Sequence, residues 1–179
     1  MSVRYDEVLR ASKVIAVVAA MLVANSCGEQ RATAPSPGNS PSQDRGPSLV
    51  ECPTNQTTST TGLLDLLGGS VNLGVTGITI PAGVLTVPTL FQVTVPASNY
   101  MEIDVSAVGF QSFLFQQPVT ITIDYSRCNR NDINQETLHV YHIDPVTKQL
   151  LEDMGGVDDK LSRRITFTTS HLSGYAVAD

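Results

Sequence analysis

The stretch Val119-Thr120-Ile121-Thr122-Ile123-Asp124-Tyr125 alternates without a break. Val119, Ile121, Ile123 and Tyr125 fall on one side of an extended chain, and Thr120, Thr122 and Asp124 fall on the other. Successive side chains of a strand point to opposite faces, so this is a strand with one face buried and one wetted. β-Branched residues on both sides suit that conformation. The same period recurs in both directions. Phe91, Val93 and Val95 alternate with Gln92 and Thr94, Ile103 and Val105 with Glu102 and Asp104, and Ile165 and Phe167 with Thr166 and Thr168. Tyr175 and Val177 share a face near the C-terminus, Leu138 to Ile143 reads as another strand, and Gln149-Leu150-Leu151 as a short one. Strands at Val71 to Leu73 and Ile78 to Ile80 precede Pro81, which suits a strand end or a sheet edge. Asp144-Pro145 and Gly155-Gly156 mark turns between the later strands. No sustained helical period interrupts the series, so the expected fold is all-β: a single antiparallel β-sandwich over residues 49–179.

Upstream of the sandwich the chain changes character. Arg4, Arg10 and Lys13 precede an eleven-residue apolar run from Val14 to Ala24. That length fits a signal peptide over residues 1–26 and falls short of the ~18 to 20 apolar residues of a spanning helix. Residues 28–48 hold four Pro, four Ser and three Gly in 21 positions and no large apolar side chain. Such a segment has nothing to offset the entropy of ordering, so residues 27–48 are expected to be a disordered linker. A flexible coil of that length spans about 25 Å.

Three cysteines punctuate this plan: Cys27, Cys52 and Cys128. If Cys27 is modified, the other two make an even pair in the oxidising compartment that a signal peptide implies. Their bridge would close a loop of about 75 residues; two free thiols are the alternative. The formal net charge is −6 over 179 residues, with six Lys/Arg against thirteen Asp/Glu from Leu49 onward. Without a basic stripe, nucleic acid is excluded as a partner, and an anionic membrane surface holds no attraction for the domain itself.

Ala24-Asn25-Ser26 ahead of Cys27 resembles the lipobox of bacterial lipoproteins, although that family prefers a large aliphatic residue where Ala24 stands. The resemblance implies diacylglycerol on the Cys27 thiol, cleavage before it, and a stable membrane anchor of two or three acyl chains. Ordinary signal cleavage at the same bond is the other reading. The expected location is the cell envelope, periplasmic or at the surface.

A second resemblance runs through the domain. Gly68-Gly69-Ser70-Val71, Ile80-Pro81-Ala82-Gly83-Val84, Phe115-Gln116-Gln117-Pro118-Val119, Leu138-His139-Val140-Tyr141-His142-Ile143-Asp144 and His171-Leu172-Ser173-Gly174-Tyr175 follow one another. In that order they resemble the ZU-five-type β-sandwich of ankyrins and netrin receptors, from about Leu63 to Val177. Members of that family mostly act as protein-interaction modules. The resemblance therefore implies a binding domain for an unknown protein or polymer, not an enzyme, with carbohydrate binding as an alternative.

His171-Leu172-Ser173 also resembles the tripeptide at which adhesion receptors and relatives of this sandwich cleave themselves. There the histidine takes the hydroxyl proton and the serine attacks the preceding carbonyl, so cleavage would fall between Leu172 and Ser173. The same motif also serves as a packing element entering the last strand. His139, His142 and His171 do not add up to a three-histidine metal site, because residues three apart on a strand face opposite ways. Glu102 and Asp104 share a strand face, and with Asp153, Asp158 and Asp159 they read as solvated strand and loop acids. No catalytic residues, metal or cofactor are expected. Phe110 and Phe113 are the candidate binding patch, since a straight strand would not bury both on one face.

Overall fold

The computed structural model describes residues 46–129 and 137–179. The stretch expected as a signal peptide, Cys27 and most of the expected linker lie outside the described residues. Every regular element among the described residues is a strand, in the order β1 (Glu51–Thr54), β2 (Thr58–Leu64), β3 (Gly69–Leu73), β4 (Thr76–Ile80), β5 (Thr89–Val95), β6 (Ser98–Tyr100), β7 (Glu102–Ala107), β8 (Leu114–Asp124), β9 (His139–Ile143), β10 (Leu150–Gly155), β11 (Val157–Asp159), β12 (Arg164–His171) and β13 (Gly174–Ala178). All pairings are antiparallel. A six-stranded sheet runs β10-β9-β13-β7-β5-β2, a five-stranded sheet runs β11-β12-β8-β4-β3, and β1 and β6 form a short ribbon.

The alternating residues meet as the sequence pattern requires. Val119, Ile121, Ile123, Ile165 and Phe167 of the smaller sheet share one buried cluster with Phe91, Val93, Ile103, Val105, Val140 and Tyr175 of the larger. The fold is an antiparallel β-sandwich. β13 departs from alternation and is buried at all five positions, since it runs between β9 and β7 in the middle of its sheet. Its outward residues are accordingly small: Gly174, Ala176 and Ala178.

The sandwich has two unlike ends. β2 passes to β3, β4 to β5, β7 to β8 and β12 to β13 at one end, where the chain crosses between sheets. The tight β2–β3 crossing uses Gly68 and Gly69, both at positive φ, and a Cβ on Gly68 would meet the Ile80 carbonyl oxygen. The chain enters at the opposite end. There the Val50 amide donates to the Val177 carbonyl and the Met101 amide to the Val50 carbonyl, both at 2.9 Å. The Cys52–Cys128 disulfide lies at this entry end, with 4.8 Å between Cα atoms. Arg127 and Arg163 donate to the carbonyls of Cys52 and Cys128 respectively.

Several acids stand where alternation does not put them. Glu102, expected as solvated strand surface, is only 3% exposed because Lys148 reaches over from the β9–β10 turn and holds it at 2.7 and 2.9 Å. Asp153 is a β10 residue, not a loop acid, and it accepts from His139 and Tyr141. Asp158 lies in β11 and accepts the Tyr125 hydroxyl; burial first, then this carboxylate, push the Tyr125 phenol up. Asp159 ends β11 and organises the turn through the Leu161 and Ser162 amides. The short strand expected around Leu150 continues to Gly155, and β1, β2, β6 and β11 are additions to the expected set.

Two stability measurements follow. Reducing the disulfide, which spans 76 positions, should lower unfolding stability by about 4 kcal/mol in urea, while an unchanged midpoint would contradict the bridge. Lys148→Met keeps the side-chain stem but leaves the Glu102 carboxylate buried alone, and should cost about 3 kcal/mol. A loss below about 0.5 kcal/mol would show that the pair carries nothing.

Candidate functional site

The residues that carry chemistry gather at the crossing end. His171 is the last residue of β12, held by its register opposite Leu114 of β8. Leu172 and Ser173 then bridge the two sheets. The Leu172 amide donates to the Phe113 carbonyl at 3.2 Å, and the Ser173 carbonyl accepts from the Val105 amide of β7 at 3.1 Å.

The Thr169 hydroxyl organises the histidine. It donates to the His171 carbonyl at 3.0 Å, accepts the His171 amide at 3.2 Å, and lies 3.3 Å from the imidazole Nδ1. Either partner can donate in the contact between Nδ1 and Oγ1, and the Tyr175 hydroxyl lies 3.3 Å from the same Oγ1. With the ring proton on Nδ1, the lone pair falls on Nε2. Tyr175 packs against it at 6.0 Å between centroids and donates its own hydroxyl to the His171 carbonyl. Burial pushes the Tyr175 phenol up to about 12, which keeps that proton in place at neutral pH.

This arrangement does not present His171 to Ser173. The imidazole Nδ1 contacts Thr169, and among the described residues no hydrogen bond joins the His171 and Ser173 side chains. The only non-glycine residues in the left-handed region among the described ones are Lys148 and Arg163, so the tripeptide carries no backbone strain of that kind. Self-cleavage through an N-to-O shift needs a base on the hydroxyl and a distorted peptide.

Leu172 and Ser173 instead line a groove of about 210 Å³ together with Phe110 and Phe113. The two aromatics part company there. Phe113 is half-buried and packs edge-on against Phe91 at 5.6 Å and Phe115 at 5.0 Å, so only part of it faces the groove. Phe110 stands on Phe113 at 5.4 Å with 55% of its surface exposed.

Beyond this groove the outer face of the larger sheet carries an apolar row absent from the expected sites. Leu63 of β2 lies opposite Leu90 of β5, and the Val108 amide donates to the Leu90 carbonyl at 2.7 Å. The three are 68%, 38% and 45% exposed. Leu66 and Leu67, in the adjoining β2–β3 turn, are exposed as well. The signal was present in the pattern: Leu63 and Leu90 occupy the outward slots beside the inward Leu64 and Phe91.

On the opposite flank of this end, His142 of β9 lies opposite Glu152 of β10, and its ring meets that of His171 at 5.1 Å. One ligand atom from each of His142, Glu152 and His171 lies within 4.8 Å of the other two. Burial, then the second imidazole, pull His142 below the usual histidine range, against an upward pull from Glu152. His139 has no part in this group and instead reaches Asp153 at 2.9 Å. Burial draws Asp153 upward, but bonds from His139 and the Gly155 amide outweigh it and hold Asp153 below the usual carboxylate range.

Two outcomes test these arrangements. The purified chain should give one intact mass under denaturing conditions, whereas loss of Ser173–Asp179 would overturn the reading of His171 as bound to Thr169. His142 takes its proton less readily folded than unfolded, so it contributes stability at neutral pH that falls as pH drops through about 6.5. The urea midpoint should decline between pH 7.5 and 5 and decline less in His142→Gln; equal slopes would contradict the burial of that imidazole. Comparison with protein-family models and with curated proteins finds no match to this chain.

Proposed function

We propose that this chain is an exported lipoprotein of the cell envelope, anchored by acyl chains on Cys27, whose ZU-five-like sandwich binds a protein partner through the apolar row at its crossing end. The observation that carries the reading is the position of Leu63, Leu90 and Val108 relative to the point where the chain enters. The entry is pinned at Val50, Met101 and Val177, and the row sits at the other end of β7 and β5. Six residues of strand at about 3.4 Å each separate the two by roughly 20 Å. A tether at the entry end would leave the apolar row clear of the point of attachment.

A gathered set of exposed aliphatics marks a contact surface more than scattered ones do. The row borders β2, the outermost strand of its sheet, whose outer edge pairs with no other strand among the described residues and could accept a strand from another protein. A glycan partner would call for aromatic platforms, and this chain has no Trp. The Cys52–Cys128 bond supports export, since such bonds persist in oxidising compartments.

A photo-crosslinking residue at Leu90 should capture one discrete envelope protein, and the same residue at Leu161, exposed on the β11–β12 turn, should not. Leu63→Asp, a surface change expected to alter stability by less than about 0.5 kcal/mol, should abolish that capture. No discrete species at position 90, or the same species at position 161, would contradict the binding surface. A fatty-acid analogue should label the chain and not Cys27→Ser; absence of label would remove the anchor alone.

A further inference from the structure

We infer that His142, Glu152 and His171 form a binding site for a first-row divalent metal ion of the zinc class, bridging the two sheets. The inference stands apart from the proposed partner surface, which lies across the crossing end from it.

The donor set comes from three strands in two sheets. His142 on β9 and Glu152 on β10 are register partners in the larger sheet, and His171 ends β12 in the smaller. Two imidazoles and one carboxylate are the donors that zinc and its neighbours favour over magnesium or calcium, which take oxygen.

A second, independent observation points into the same space. His171 Nε2 is inaccessible to solvent and has no hydrogen-bond partner. Thr169 Oγ1 lies 3.3 Å from the other ring nitrogen, and with the ring proton there Nε2 presents a lone pair that nothing among the described residues satisfies. A hydrogen bond to the far nitrogen is the usual support of a metal-bound imidazole, because it fixes both tautomer and ring orientation. An unpaired buried acceptor is otherwise a net cost to the fold.

The spacing is that of an open site. Ligands around a tetrahedral ion with bonds of about 2.1 Å lie about 3.4 Å apart. Atoms now within 4.8 Å would therefore close by about 1.4 Å, a shift that the exposed Glu152 side chain can make. Three protein donors leave a fourth position for water or a donor from another molecule. The ion would also join β12 to β9 and β10, so binding should stabilise the folded chain by linkage. Its bond to Nε2 would use the lone pair that a general base at His171 would need.

The test uses the full chain carrying Cys27→Ser to remove the free thiol, purified in detergent without a histidine tag, and titrated with Zn²⁺ against a chromophoric chelator. One equivalent should bind, with affinity lowered at least tenfold in Glu152→Gln and in His142→Gln, and the melting temperature should rise with Zn²⁺. Thr169→Val should weaken binding about tenfold by releasing the imidazole. His139→Gln, whose ring faces Asp153, should leave affinity unchanged. Glu152 is exposed, so its variant reports on binding even if a histidine variant fails to fold. No stoichiometric binding, or affinity within threefold of the parent in both Glu152→Gln and His142→Gln, overturns the site.

Discussion

The pairing register of β8 against β12 is the constraint from which the other features follow. Ile121 lies opposite Phe167, Ile123 opposite Ile165 and Val119 opposite Thr169, so the inward rows of both strands face the larger sheet together. A slip of β12 by one position would turn its own inward side chains to solvent. Val119, Ile121, Ile123 and Ile165 are completely buried, so such a slip would expose the centre of the core. The register is therefore specified by burial along the whole length of the pair, and not by any single contact.

The same register sets the chemistry at both ends. Toward the entry it carries β8 to Tyr125, whose amide is bound by the Arg163 carbonyl, and delivers Cys128 to Cys52. Toward the crossings it places His171 opposite Leu114, so that the imidazole projects where β9 and β10 offer His142 and Glu152. One end is closed by covalent and hydrogen-bonded stitching. The other exposes an aliphatic row on one flank and a cluster of titratable donors on the other.

Much of this was legible in the sequence because a period of two reports directly which side of a strand is buried. The strands around Val93, Val105, Ile121, Phe167 and Val177 were visible for that reason, and the pairing of Cys52 with Cys128 was visible from parity among three cysteines. Alternation says nothing about what covers the outer face. Glu102 reads as wetted, yet Lys148 reaches it from a turn 46 positions away. Asp158 reads as loop because β11 is only three residues long and shows no period of its own. The group of His142, Glu152 and His171 was out of reach for a related reason. Its members come from two sheets, and a register shift between Leu150 and Glu152 brings Glu152 opposite His142. The sequence argument against joining His139 to His142 agrees with their separate partners, but it could not supply Glu152 in place of His139. Phe110 and Phe113 were recognised as a pair that a straight strand cannot bury together, and the structure leaves Phe110 exposed and Phe113 half-buried against Phe91 and Phe115.

The most direct measurement is a set of proton–proton contacts across the β8–β12 pair in solution. The register places Thr122 opposite Thr166 and Thr120 opposite Thr168, and contacts should appear between the backbones of those partners. Contacts displaced by one residue along β12, or their absence while the strands remain extended, would contradict the shared core and the placement of His171 that depends on it.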